Sequence, residues 1–136
     1  MGRKHLRRKH ERDVPERQAG YQSPDGAQLS FVALTCLLIA IDGDTLRCGK
    51  ERIRLLGIDA PEMPGHCRRG RRCVLGDPFA SKAALAAILG GSAVIQRSGQ
   101  DRYGRTLARV RVNGIDLSVA QLRKGMAVAY SYGRRT

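Results

Sequence analysis

The sequence predicts a mainly β domain of the α+β class, a small, partly open barrel carrying two short helices. Three observations predict it. Five short apolar or alternating segments are bounded by turn residues, two further segments open on Asp and close on Gly, and 136 residues are enough for one domain. Hydrophobic residues make up 42% of the chain, which supplies a core. Aromatics are only 4% and Trp is absent, so Leu, Ile, Val and Ala must fill that core.

The elements follow in order. Residues 31–41 (FVALTCLLIAI) are apolar, bounded by polar residues and followed by a sharp Asp42-Gly43-Asp44 turn, and read as one buried strand. Thr45–Cys48 and Arg52–Ile58 are the next strands, parted by Gly49-Lys50-Glu51; in the second, Ile53 and Leu55 alternate with Arg52 and Arg54. Asp59-Ala60-Pro61-Glu62 must leave the sheet, because Pro61 has no amide to donate and restricts the residue before it. A loop rich in Gly, Arg and Cys runs to Gly76. Asp77 and Pro78 then supply an N-cap and a first-turn proline for a helix over 79–89, stopped by Gly90-Gly91. Ala93–Arg97 and Leu107–Val112 are strands, the second ending at the turn-forming Asn113-Gly114. Asp116 caps a second helix over 117–124 that Gly125 terminates. Five strands with two helices suit a barrel of the OB type.

Residues 1–30 differ in kind. Leu6 and Val14 are their only strong aliphatics, and neither period could bury a face, so they are expected to form a disordered basic arm preceding a domain over 31–136. A basic start before an apolar run resembles a signal peptide, but the arm is too long and too charged, and cleavage would remove a core strand. The longest apolar run has 11 residues, against the roughly 20 that span a bilayer as a helix. No stable membrane insertion is expected, and the chain reads as a monomer.

The charge points to a partner. There are 25 Lys+Arg and 12 Asp+Glu, a net +13. Residues 1–30 contribute +3 and residues 31–136 contribute +10, so the excess belongs to the folded part. That favours a polyanion, nucleic acid first and acidic membrane second.

Four cysteines permit three pairings. Cys36 and Cys48 flank the Asp42-Gly43-Asp44 turn almost symmetrically, and Cys67 and Cys73 close the Arg-rich string CRRGRRC. Two local disulfides, buried free thiols, and a poorly spaced zinc site including His66 all stay open at this level. Cysteine pairs favour an extracytoplasmic setting.

Two acidic spots carry potential chemistry: Asp42-Gly43-Asp44 at a hairpin tip and Asp59-Ala60-Pro61-Glu62 at a strand end. Antiparallel pairing lets these ends converge, and oxygen ligands of this kind suit Ca²⁺ or Mg²⁺. The plainer reading is ordinary turn chemistry. Arg54 and Arg105 shift the balance, because a metal beside two guanidiniums is what a phosphodiester site needs. Glu62, a carboxylate at neutral pH, is placed to take a proton from an attacking water.

The strings IDGDTLRC (41–48), RIRLLGIDAPE (52–62) and DRYGRTLARV (101–110), with RKGMA (123–127), resemble in order and approximate spacing those of the thermonuclease, or staphylococcal-nuclease-like, family. The resemblance covers roughly residues 31–132. It implies an OB-fold-like barrel with two to three short helices and a Ca²⁺-dependent endonuclease that cleaves the P–O5′ bond of DNA and RNA and leaves 3′-phosphates. It also implies that Asp44, Asp59 and the Ala60 carbonyl bind Ca²⁺ directly, with Asp42 holding metal-bound water. Glu62 would be the general base, and Arg54 and Arg105 the phosphate clamps. Arg102, Tyr103, Tyr130 and Tyr132 would contact nucleic acid, the last two by stacking, although core packing serves those tyrosines equally well.

Three departures stand out. Ala60 replaces a residue that is Thr in the best-known member, and the 66–76 insert differs, its arginines either contacting phosphates or forming a solvated face. The chain also ends at Thr136, where members usually continue into a carboxy-terminal helix. A catalytically silent barrel that binds nucleic acid or protein is the alternative function; a stapled basic surface protein would leave all three motifs unexplained.

Overall fold

A computed structural model describes residues 30–131. The proposed arm lies outside these residues apart from Ser30, and so does Tyr132. The described residues from Ala33 onward belong to one compact unit. Its elements are β1 Val32–Leu34, β2 Leu38–Asp42, β3 Thr45–Cys48, β4 Glu51–Leu55, β5 Ile58–Asp59, α1 Pro78–Ala86, β6 Ala93–Gln100, β7 Thr106–Val112, β8 Ile115–Asp116, α2 Leu117–Arg123 and β9 Val128–Ala129.

The main sheet runs β1-β6-β7-β4-β3-β2, with β8 on β7; β5 and β9 pair separately. The β2–β3, β3–β4 and β6–β7 pairs are antiparallel, and β4–β7 is parallel. A parallel neighbour needs a long crossover. Here residues 56–105 supply it, carrying the Arg/Cys loop, α1 and β6. The result is the curled, mainly β, OB-like α+β fold the sequence predicts.

Local chemistry fixes most boundaries. The Asp77 carboxylate accepts from the amides of Phe79 (2.9 Å) and Ala80 (3.3 Å), and Asp116 accepts from Ser118 (2.9 Å) and Val119 (3.1 Å). Asn113 and Gly114 both have positive φ, 53° and 81°, as a two-residue β7–β8 hairpin requires. Leu46, Ile53, Leu55, Ile58, Leu85, Ile95, Val110 and Leu117 are wholly buried. The core is aliphatic, as the composition demands.

Two expected strands are interrupted. Residues 31–41 do not form one buried strand: the chain bends at Cys36, and Leu37 and Ile39 are 80% and 49% exposed. One continuous strand cannot lie beside β6 and also pair with β3, whereas the two halves, β1 and β2, do so on opposite edges of the sheet. Residues 52–58 break at Leu56-Gly57, where Gly57 has φ 89°. This turn redirects the chain so that Asp59 stays in a strand, paired with Val128. The first helix also ends earlier than expected, at Ala86.

The cysteines form two disulfides. Cys36–Cys48 ties the bend to the end of β3, and Cys67–Cys73 closes the Arg-rich loop. Among the described residues, no helix is long and apolar enough to cross a membrane.

The β2–β3 turn is held from behind. Gln121, fully buried on α2, donates from Nε2 to the carbonyls of Gly43 (2.9 Å) and Ser81 (3.0 Å), and Ser81 Oγ donates to the Met126 carbonyl (2.7 Å). α1 comes so close that a Cβ on Gly43 would stand 1.8 Å from Ser81 Oγ and 2.8 Å from Ala60 Cβ. Gly43→Ala is therefore expected to force the turn off α1 and cost about 1–3 kcal/mol, as overpacking does. Urea unfolding checks this, and a wild-type midpoint would show that the contact yields freely.

Candidate functional site

Three strand ends meet at one cleft of about 740 Å³. Its floor is built around Arg54, which is only 5% exposed although it sits on a strand where alternation pointed to a polar face. Its Nη1 donates to the carbonyls of Leu55 and Ile58, both at 2.9 Å, and lies 3.4 Å from Asp44 Oδ2. Nη2 lies 3.4 Å from Asp59 Oδ1. The guanidinium thus bridges the two acidic spots. Asp44 is fixed further by the Ala60 amide on Oδ2 (2.8 Å) and the Thr45 hydroxyl on Oδ1 (3.0 Å). Asp42 accepts from the Asp44 amide at 3.2 Å.

The floor concentrates negative charge where water is scarce. Burial, reinforced by the Asp44 charge, pushes the Asp42 carboxyl up to about 7. Burial also raises Asp59, with Arg54 opposing and Asp44 adding to the rise. Carboxylates held together in this way fit a hard cation that would relieve their repulsion. Among the described residues no three His, Cys, Asp or Glu side chains converge as a ligand set.

The rim is cationic. Arg105 is anchored through Nε to Asp101 (2.8 Å), and Arg52 donates to the Tyr103 carbonyl. Arg68, Arg102 and Arg105 surround the Tyr103 ring with guanidinium carbons 5.4, 5.2 and 5.7 Å from its centre. Glu62 faces the cleft, its Oε2 taking a hydrogen bond from Arg71 at 3.0 Å. Tyr130 lines the cleft and is 45% exposed, which removes the core-packing reading for it.

The structure thus brings together Asp42, Asp44, Arg54, Asp59, Glu62, Arg102, Tyr103, Arg105 and Tyr130, with Ala60 beside Asp44. Sequence reasoning did not assign Arg52, His66, Asp101 or the loop residues Arg68, Arg69, Gly70 and Arg71 to the cleft. The dense arginines of CRRGRRC were the available signal for Arg71. Arg52 read as an ordinary outward strand residue.

A family model described as staphylococcal nuclease homologue matches residues 52–136. An uncharacterized endonuclease of Haemophilus influenzae is 35% identical over 102 residues, covering 71% of this chain and 52% of that protein. The probable staphylococcal-like nuclease CAN1 of Oryza sativa is 32% identical over 114 residues, 82% of this chain and 31% of that protein. Endonuclease YncB of Bacillus subtilis is 33% identical over 108 residues, 71% and 48% respectively. The chain spans between about a third and about half the length of these relatives.

Asp101 organises the rim loop. Although burial pushes its carboxyl up, hydrogen bonds from the Arg105 amide and guanidinium and the Tyr103 amide hold it below the ordinary aspartate value. A depressed native value means stability that is present above the unfolded value, about 3.9, and is lost as pH falls through the native one. Asp101→Asn is expected to lower stability at pH 7 by about 1–2 kcal/mol, the scale of a charged hydrogen bond. Urea unfolding at acid pH should show the gap between variant and wild type closing. A gap that persists there would trace the loss to packing.

Proposed function

The chain belongs to the staphylococcal nuclease homologue family, and from that premise we propose that it is a calcium-dependent endonuclease hydrolysing the P–O5′ bond of DNA and RNA to leave 3′-phosphates. The observation that carries this reading is the juxtaposition, in one cleft, of Asp44 and Asp59 bridged by Arg54 with Glu62 and Arg105 above them. Asp44, Asp59 and the Ala60 carbonyl would hold a cation, and when bound it would polarise a non-bridging phosphate oxygen. Asp42 then helps order water at the floor.

The chain's own residues do the rest. Glu62 accepts a proton from water as the water oxygen attacks phosphorus; the P–O5′ bond breaks, and the departing 5′ oxygen takes up a proton. As charge builds on the equatorial oxygens, Arg105 and Arg54 stabilise it more strongly than they do the ground state. Anchoring Arg105 through Nε to Asp101 limits the reorganisation this needs. Arg102 and Tyr103 contact the nucleic-acid backbone, and Tyr130 offers an aromatic face to a base. The two disulfides suit an oxidising, extracytoplasmic setting.

Cleavage of single-stranded DNA and RNA with Ca²⁺, with Mg²⁺ and with excess chelator, followed by analysis of product ends, tests the reading. Calcium-dependent products bearing 3′-phosphates are expected, and chelation should abolish them. A folded protein that binds these strands but cuts neither would instead be a binding module. Glu62→Gln and Arg105→Ala should each reduce turnover by at least about 10²-fold. Near-normal rates in folded variants would remove the roles assigned to these residues.

A further inference from the structure

The Cys67–Cys73 loop supplies three of the seven arginines lining the cleft, Arg68, Arg69 and Arg71, yet the chemistry above uses none of them. The loop is tied to both sides of the cleft. Arg71 reaches Glu62 Oε2 at 3.0 Å through Nη1 and Asp59 Oδ2 at 3.4 Å through Nη2. Arg68 lies over the Tyr103 ring on the opposite rim. The disulfide closes a span of only six residues, so these guanidiniums are confined to the cleft mouth.

We propose that Arg71 is a third phosphate-binding guanidinium, held over Glu62 and Asp59 by the disulfide-closed loop and transferred to a backbone phosphate when nucleic acid binds. This rests on the nuclease reading above. The Arg71 side chain is 42% exposed, so its ion pairs are screened and easily exchanged. Its two terminal nitrogens now serve two separate carboxylates. The non-bridging oxygens of one phosphodiester match that planar fork better, as a bidentate pair. The exchange also releases Glu62 Oε2 to accept a proton, so the base is uncovered by the polyanion it acts on.

The test is fluorescence anisotropy with a short single-stranded DNA oligonucleotide in excess chelator, so that affinity is read without turnover. Salt is varied between about 50 and 200 mM. Arg71→Ala should weaken binding severalfold and reduce the slope of log affinity against log salt by about 0.7, the loss of one single-strand phosphate contact. Arg71→Lys should restore the slope, and Lys82→Ala, on the exposed side of α1, should match wild type. Cys67→Ser/Cys73→Ser keeps the charge but frees the loop, and should lower affinity. Unchanged or tighter binding by folded Arg71→Ala, with wild type binding normally, overturns the proposal and leaves the nuclease reading standing. Unchanged affinity in the double serine variant overturns the holding role of the disulfide. A folded wild-type protein that does not bind the oligonucleotide overturns the proposal, while the nuclease reading is decided separately by the calcium-dependent cleavage assay.

Discussion

A guanidinium cannot be buried without partners for its charge and its N–H groups, and Arg54 imposes that constraint on the whole domain. It sits on a central strand, flanked by the fully buried Ile53 and Leu55. The carbonyls of Leu55 and Ile58, on either side of the Leu56-Gly57 turn, and two carboxylates from different elements answer it. Removing both carboxylates would leave a charge stranded in low dielectric. Asp44 and Asp59 are thus brought together by folding itself, and the cleft floor is a by-product of solvating one arginine from within.

This arrangement propagates outward. For Asp44 to reach Arg54, the β2–β3 turn must press against α1, and that requires a residue without Cβ at position 43. For Asp59 to reach it, β4 must break at Gly57 so that β5 can leave the sheet and pair with β9. Gln121 then ties α2 to both the turn and α1. One amide of this buried side chain serves three elements, which couples the packing of the helices to the position of the carboxylates.

The floor and rim carry opposite charge. Burial, reinforced by neighbouring carboxylates, raises the proton affinity of Asp42 and Asp59 below, while arginines from the Asp101–Arg105 loop and the disulfide loop gather above. Such a separation of charge would favour a polyanion at the rim and a cation at the floor, as the proposed reaction requires. The arginines are kept in place by different means: Arg105 by a carboxylate, Arg54 by burial and Arg71 by a short covalent loop.

Local chemistry made much of this legible in the sequence. Asp77 and Asp116 marked helix starts because their carboxylates satisfy first-turn amides within three residues, and Asn113-Gly114 marked a hairpin because both residues tolerate positive φ. The ordered motifs likewise identified the family and just over half of the residues that line the cleft. Tertiary structure alone decided the breaks at Cys36 and Gly57, because closing a barrel is a demand on strand partners distant in sequence. It also decided that Arg54 is interior, which a period of two could not show, since its partners come from positions 44, 55, 58 and 59. The placement of Arg71 on Glu62 and Asp59 was decided there too: composition announces charge, but an ion pair depends on where a folded loop comes to rest.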